Sequence, residues 1–121
     1  MSGGSRTWMV RLAAAAESDF QDILRWTAQQ FGEAQARDYA ETLSSALEAL
    51  MDGPAVPGVK ARDDIARGIL TLRVARHGRR GRHFILFRIG HHAGHDVIDV
   101  LRLLHDAMDL PRHVPRDDLS E

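Results

Sequence analysis

The sequence predicts an α+β fold with the order β-α-α-β-β-β, in which an antiparallel sheet carries a helical hairpin packed on one face. Three observations predict this fold. Residues 83–105 form two runs rich in Ile, Val, Leu and Phe around a Gly/His turn, which is the pattern of a β-hairpin. Residues 14–51 repeat apolar side chains at helical spacing, with one interruption at Gly32. Strand patterns lie before and after these helices, and consecutive strands after a helical hairpin favour a meander with the helices on one face.

The chain begins with a short lead and a first strand. Residues 1–6 are small and polar, and we expect them to be a disordered lead. Apolar and polar side chains then alternate over residues 7–12, which indicates a strand. From Asp106 onward the sequence loses its periodicity and gains prolines. This pattern is typical of a C-terminal tail. A sequence resemblance given below extends to Val114, and with it we place the domain at residues 7–114 and a polar C-terminal tail at residues 115–121.

Two amphipathic helices are predicted at about residues 14–31 and 33–51. The apolar stripe of the first helix ends at Phe31. Gly32 is suited to end it, because glycine accepts the left-handed conformation found at helix termini. The second stripe includes Tyr39, which we expect to pack in the core. A connection this short makes the two helices fold back as an antiparallel hairpin.

Three further strands are predicted at residues 69–76, 83–89 and 97–105. Residues 69–76 alternate between apolar and polar side chains, whereas the runs at 83–89 and 97–105 do not alternate cleanly, which is typical of strands covered on both faces. If His83 lies opposite Arg76 and Ile89 opposite Val97, alternation divides the strands into two faces. The face predicted to contact the helices contains Leu70, Leu72, Val74, Ile85, Phe87, Ile89, Val97, Leu101 and Leu103. The opposite face contains Thr71, Arg73, Phe84, Leu86, Arg88, Ile98, Val100, Arg102 and Leu104.

The composition is that of one ordinary globular domain, with 121 residues, 44% hydrophobic and 27% charged. No window approaches the roughly 20 apolar residues of a membrane span, and the first residues lack the apolar region of a signal peptide. Cysteine is absent, which excludes disulfides and thiolate chemistry. These features predict a cytoplasmic protein.

The net charge of -1 conceals a strong asymmetry along the chain. Residues 65–95 contain seven arginines and five histidines but no carboxylate. Such a basic segment suits an anionic partner, either a nucleic acid or an acidic polypeptide. The alternative is a solvated basic face whose arginines pair with acids such as Asp99 or Asp106.

The candidate catalytic residues are those that RNA cleavage would need. The reaction requires a base, an acid and cations that stabilise the charged transition state. His83 or His105 could transfer the protons, and Arg73 and Arg102 could supply the charge. The imidazole-rich turn lacks the spacing of a zinc site, and neither a phosphate-binding glycine loop nor a G-x-S-x-G elbow occurs. We therefore predict neither a metal nor a cofactor.

Five sequence segments together resemble the ParE toxins of the RelE/ParE toxin–antitoxin superfamily. The likeness extends from about Trp8 to Val114, and the final segment, with its L-H-x-x-M-D, is the most specific. The segments are A-x-x-D-F-x-D-I at 16–23, F-G-x-x-x-A-x-x-Y at 31–39, L-x-x-x-P at 50–54, H-F-I-L-F-R at 83–88 and V-L-R-L-L-H-D-A-M-D at 100–109.

This resemblance implies a toxin of a type II system that is silenced by a ParD-like antitoxin, with which it forms a hetero-oligomer. The C-terminal segment of such an antitoxin wraps over the toxin's helices and sheet. ParE members are understood to act on DNA gyrase without catalytic residues of their own. RelE members instead cut ribosome-bound mRNA with lysines, arginines and a C-terminal tyrosine.

The chain departs from the RelE pattern in a way that favours ParE. Arg73 and Arg102 match part of the RelE cluster, but Lys60 is the only lysine and no tyrosine stands near Met108. We therefore expect an inhibitor of DNA gyrase with no catalytic residues. A RelE-like, ribosome-dependent mRNA endonuclease and a non-toxic protein-binding module remain as alternatives.

Two sets of contact residues follow from the resemblance and the face assignment. Apolar and arginine side chains on the sheet, with a tryptophan on the outer side of the helices, form a partner surface. For the antitoxin we expect Trp26, Arg73, Phe84, Leu86, Arg88, Ile98, Val100 and Arg102. For the target we expect Arg79, Arg80, Arg82, His105, Met108 and Asp109.

Overall fold

The computed structural model describes residues 7–106, and within this range it confirms the predicted order of elements. The elements are β1 (Val10–Leu12), α1 (Ala14–Phe31), α2 (Glu33–Ala49), a 3-10 turn (Leu50–Asp52), β2 (Lys60–Ala61), β3 (Leu70–Arg73), β4 (His83–His92) and β5 (His95–His105). The predicted lead at residues 1–6, the candidate contacts Met108 and Asp109, and the tail at 115–121 lie outside the described residues.

The strands form one mixed sheet in the order β1-β5-β4-β3-β2. β1 is parallel to β5, with Val10 opposite Ile98, and the remaining neighbours are antiparallel. The strands after the helices are antiparallel, as predicted, and β1, for whose partner no prediction was made, adds a parallel pair. A three-residue strand carries no signal of its partner, and the helical hairpin after β1 supplies the long crossover that a parallel pair needs. β2 was not predicted, because its two residues are exposed and lie in a polar segment.

The helices form the predicted hairpin and cover one face of the sheet. Gly32 joins them at a φ of 95°, where glycine is favoured, and its N–H donates to the Ala28 carbonyl oxygen over 2.9 Å. The buried residues between helices and sheet are Ala16, Ile23, Leu43, Ala46, Leu50, Leu72, Val74, Ile85, Phe87, Ile98, Val100 and Leu103. Within residues 7–106, neither helix has a stretch apolar and long enough to cross a lipid bilayer.

The strand register differs from the assumed pairing at both hairpins. The Val74 N–H donates to the His83 carbonyl oxygen over 3.1 Å, two residues away from the assumed partner Arg76. A shift of two residues keeps the side-chain alternation. Ile89 lies opposite Ile98, one residue beyond its assumed partner. A shift of one residue reverses the faces in the first half of β5.

A β-bulge in β5 restores the predicted alternation. Arg102 and Val100 pair with consecutive residues of β4, so Leu101 between them is an extra residue. Ile98 and Val100 therefore lie against the helices, and their predicted place on the arginine-bearing face is wrong. Leu101 was predicted on the helix side and lies on the opposite face. The bulge also leaves Arg102 on the face that was predicted for it, opposite Leu86.

The face opposite the helices has a small apolar core of its own. Its buried members are Ile69, Phe84, Leu86, Leu101 and Leu104. Ile65 and Ala66 pack against them from a turn in which the Arg62 N–H donates to the Ile69 carbonyl oxygen over 2.8 Å. The expectation that Phe84 and Leu86 are exposed is therefore wrong. It failed in part because residues 62–69, which lack a clear pattern, fold back over the sheet.

Candidate functional site

Polar side chains converge at the end of the sheet where β4 begins and where β3 and β5 end. His83 lies opposite His105 in the register, and their ring centroids are 5.3 Å apart in an edge-to-face arrangement. Arg73 is the last residue of β3, and Asp106 follows β5 directly. Tyr39 reaches the same place from α2. With Arg82, these residues are called the strand-end cluster below.

Tyr39 is held against His83 by a close approach of the backbone. Its hydroxyl oxygen lies 2.8 Å from His83 Nδ1, and its ring packs against the main core, as predicted. A Cβ on Gly81 would lie 2.5 Å from this hydroxyl and 2.7 Å from the ring. Only glycine at position 81 therefore lets the tyrosine reach the histidine.

Tyr39 and His83 share one hydrogen bond, and the tautomer of the imidazole decides which of the two groups donates. Burial raises the pKa of Tyr39, against the effect of the backbone N–H groups of His83 and Arg82.

His83 is neutral at physiological pH. Burial and the neighbouring His105 lower its pKa to about 4, and Asp106 and Asp19 oppose this only in part. An imidazole with so low a pKa accepts a proton weakly, and its Nδ1 is already engaged with the Tyr39 hydroxyl. His83 is therefore a poor general base at neutral pH.

Asp106 is a carboxylate bridge between two arginines. Its Oδ2 lies 3.1 Å from Arg73 Nη2, and its Oδ1 lies 3.0 Å from Arg82 Nη2 and 3.3 Å from Arg82 Nε. The Asp106 N–H also donates to the Arg82 carbonyl oxygen over 2.8 Å. The hydrogen bonds from Arg82, then the charges of His105 and Arg73, lower the pKa of Asp106. The carboxylate is therefore ionised at neutral pH.

Arg102 is engaged by α1 rather than by the strand-end cluster. Its Nε and Nη2 donate to the two carboxylate oxygens of Asp19 over 2.7 and 2.9 Å. The same carboxylate accepts the backbone N–H of Leu103 over 2.9 Å. Of the four residues predicted for a nuclease, Arg73, His83 and His105 thus come together, whereas Arg102 holds a helix against the sheet edge.

The arginine-rich loop between β3 and β4 is docked on α2. Arg79 Nη1 donates to Thr42 Oγ1 over 3.0 Å, and its Nη2 lies 3.9 Å from Glu41 Oε1. Arg80 and Arg82 are exposed beside it. The loop therefore presents the predicted target contacts Arg79, Arg80 and Arg82 next to the strand-end cluster.

The outer surface of the helices carries an exposed aromatic pair. Trp26, predicted to lie there, is 55% exposed, and Phe31 is 64% exposed. Their ring centroids are 5.8 Å apart, edge to face. The sequence pattern placed Phe31 on the buried stripe, but it is the last residue of α1 and projects beyond the sheet-covered part of the hairpin.

Sequence reasoning missed three members of the polar network. Tyr39 was assigned to packing alone, Asp106 was considered only as an ion-pair partner, and Asp19 was not singled out. The one available signal was the direct sequence neighbourhood of Asp106 and His105.

Arg88, a predicted antitoxin contact, lies opposite Asp99, whose carboxylate accepts hydrogen bonds from Arg11 over 2.8 and 3.1 Å. Across residues 7–106, no three His, Cys, Asp or Glu side chains are grouped so as to hold a metal ion.

Comparisons with known proteins agree with this architecture. A family described as ParE toxin of type II toxin-antitoxin system, parDE, matches residues 10–110. Toxin ParE1 of Caulobacter vibrioides is 28% identical over 104 residues, covering 86% of this chain and 95% of that protein. Toxin ParE1 of Mycobacterium tuberculosis is 29% identical over 103 residues, covering 85% and 94%.

Two solved structures share the fold. A chromosomal ParDE toxin–antitoxin system from P. aeruginosa matches with a TM-score of 0.64 at 18% identity, over 82% of this chain and 96% of that one. The toxin–antitoxin complex RelBE2 from Mycobacterium tuberculosis matches with a TM-score of 0.54 at 21% identity, over 82% and 98%.

Proposed function

The chain belongs to the ParE toxin family of type II toxin–antitoxin systems, and on that premise we propose that it inhibits DNA gyrase in the cytoplasm without catalysis of its own. The observation that carries the proposal is the incomplete catalytic set at the strand-end cluster. His83 is a neutral, weakly basic imidazole, Arg102 is engaged by Asp19, and the only lysine, Lys60, lies in the edge strand β2.

We further propose that a ParD-like antitoxin neutralises the toxin in a hetero-oligomer. The exposed pair Trp26 and Phe31 supports an apolar contact, because paired aromatic side chains rarely remain uncovered without a partner. Arg73 supports a polar contact, with 58% of its side chain exposed. The buried Phe84, Leu86, Ile98 and Val100 offer no such surface. The proposed antitoxin surface then combines Trp26 and Phe31 on α1 with the arginines of the strand-end cluster.

Purified gyrase tests the proposal. We expect the toxin to inhibit supercoiling and to accumulate cleaved DNA, and Arg80→Ala to weaken this effect because Arg80 belongs to the proposed target loop. Arg25→Ala is the matched control, since Arg25 is an exposed arginine on α1 paired only locally, with Asp22 at 2.9 Å. A toxin that leaves supercoiling and cleavage unchanged contradicts gyrase as the target.

A ribosome-dependent mRNA endonuclease is the second candidate, favoured by the convergence of Arg73, His83 and His105. Because the low pKa makes His83 a weak base, we assign the proton transfer to His105 in this case. His105→Gln should then lower cleavage by roughly two to four orders of magnitude. Toeprinting after induction without antitoxin checks this, and the absence of cuts on ribosome-bound mRNA contradicts it. The third candidate, a non-toxic binding module, requires that overexpression leave growth unchanged.

A further inference from the structure

The Asp106 carboxylate accepts hydrogen bonds from two arginines, as a bound carboxylate ligand would. One carboxylate oxygen accepts from Arg73 and the other from Arg82, at 3.1 and 3.0 Å. The two guanidiniums come from different parts of the chain, one from a strand end and one from the loop before β4. The two guanidiniums can therefore bind one carboxylate group, whichever residue carries that group. This pair of guanidiniums is called the cradle.

The cradle is more exposed than its occupant. The Arg73 and Arg82 side chains are 58% and 70% exposed, whereas the Asp106 side chain is 20% exposed. An incoming group can reach the guanidiniums from solvent while the internal carboxylate leaves. Two fixed positive charges also outnumber the one carboxylate, and the segment 65–95 that surrounds them holds no acidic residue. The local excess of positive charge favours an anionic partner.

We propose that Arg73 and Arg82 form a receptor for a carboxylate of an acidic segment of the antitoxin, and that this carboxylate displaces Asp106 from them. The inference rests on the proposed function for the identity of the partner. The chemistry favours an acidic peptide over a nucleic acid, because the group already held is a carboxylate, and exchange for another preserves the same hydrogen bonds. Asp106 then acts as an internal competitor that lowers the affinity of the free toxin for wrong partners.

The test uses an acetylated, amidated hexaglutamate peptide as the probe, with hexaglutamine as its uncharged counterpart, titrated into the purified toxin by calorimetry. Asp106→Asn should tighten hexaglutamate binding by about threefold or more, because the competing carboxylate is removed. The Arg73→Ala/Arg82→Ala double variant should weaken it by about tenfold, because two exposed ion pairs are lost.

Asp64→Asn is the matched control. The Asp64 carboxylate accepts hydrogen bonds from Arg62 over 2.9 and 2.7 Å in an exposed loop. The substitution therefore removes an equivalent arginine–carboxylate pair elsewhere in the chain. We expect no change in peptide affinity from it. An equal response to Asp64→Asn and Asp106→Asn overturns the proposal, as does weaker binding to the Asp106→Asn variant. Thermal denaturation of each variant separates loss of binding from loss of folding.

Further experiments distinguish a failure of the proposed receptor from a failure of the proposed function. A 2′-O-methyl RNA hexamer that binds more tightly than hexaglutamate, with the same dependence on Arg73 and Arg82, makes the cradle a phosphate site and overturns its assignment to an acidic peptide. A co-expressed antitoxin that binds the double variant as tightly as the unaltered toxin overturns the receptor while leaving the proposed function intact. A chain without toxicity whose hexaglutamate affinities still follow the expected order refutes the proposed function and supports the receptor.

Discussion

Two arginine–carboxylate sites lie close together near the C-terminal end of β5, and they differ in enclosure. Arg102 and Asp19 have only 22% and 14% of their side chains exposed, and the carboxylate also accepts the Leu103 N–H. Arg73 and Arg82 share Asp106 with more than half of each guanidinium side chain exposed. The first site, called the enclosed site, joins α1 to the sheet. The second, called the open site, faces solvent.

This difference in exposure distinguishes arginines that stabilise the fold from arginines that are available to a partner. A partly buried pair that also satisfies a backbone group is costly to break, because each partner would be left desolvated. An exposed pair contributes little to stability, since solvent competes with it and screens it. Enclosure, and not the presence of an ion pair, decides which arginines of this chain are available to a partner. The predictions below test that distinction.

The largest expected effect comes from breaking the enclosed site. Asp19→Ala leaves Arg102 without its carboxylate and the Leu103 N–H without its acceptor, and it should lower the free energy of unfolding by about 2–3 kcal/mol. Urea denaturation followed by circular dichroism measures this. Asp64→Ala, which breaks the exposed pair with Arg62, is the control and should change the free energy of unfolding far less, because solvent screens this pair. Equal losses in the two variants would contradict the distinction.

The second effect acts on the support of the open site. Gly81→Ala places a methyl group against the Tyr39 hydroxyl and 2.9 Å from Val74 Cγ2, so it should cost about 1–2 kcal/mol of unfolding free energy. Tyr39→Phe removes the nearest atom, and the double variant should recover part of the loss, which a double-mutant cycle measures. Strict additivity of the two substitutions would show that the backbone adjusts without disturbing Tyr39.

Much of the fold follows from local pattern, but the two sites do not. The helical hairpin was predictable because apolar spacing and Gly32 act within a few residues. The faces of β5 were not, because a one-residue shift at Ile89 reverses the alternation and a bulge at Leu101 restores it, both without a sequence signal. Those errors moved Ile98 and Val100 to the wrong face.

The arginines show the same limit at the level of the site. Their number and positions near the sheet end could be predicted, and so could their pairing with acids in general. The choice of Asp19 for Arg102 depends on where α1 passes the edge of β5, and the two partners are 83 positions apart in the sequence. The Tyr39–His83 contact likewise joins residues 44 apart and depends on Gly81. Such long-range contacts are set by the packing of whole elements and leave no trace in local periodicity.

The third effect is a dependence of stability on pH that comes from His83. Its pKa is about 4 in the folded chain against an ordinary value of 6.5, so the unfolded chain binds the proton first as the pH falls. The stabilisation is complete above about pH 6.5 and is lost as the pH falls towards about 4. His83→Gln should flatten the dependence of the melting temperature on pH over this window, and the assigned His83 signal should titrate near pH 4 by NMR. A His83 signal that titrates near 6.5 in the unaltered toxin would contradict both expectations.

The smallest expected effect on stability belongs to the open site itself. Asp106→Asn keeps the shape of the side chain and its backbone hydrogen bond to Arg82 but removes the charge shared by the two arginines. Because solvent hydrates both guanidiniums and screens the ion pairs, the free energy of unfolding should change little. Asp19→Asn is the matched substitution at the enclosed site and should cost more, since it replaces a carboxylate oxygen that accepts from Arg102 or Leu103 with an amide donor. Urea denaturation of the two variants side by side measures the difference. If Asp106→Asn destabilised the toxin as strongly as Asp19→Asn, the strand-end cluster would be a structural joint, and its arginines could not be released to a partner without loss of the fold.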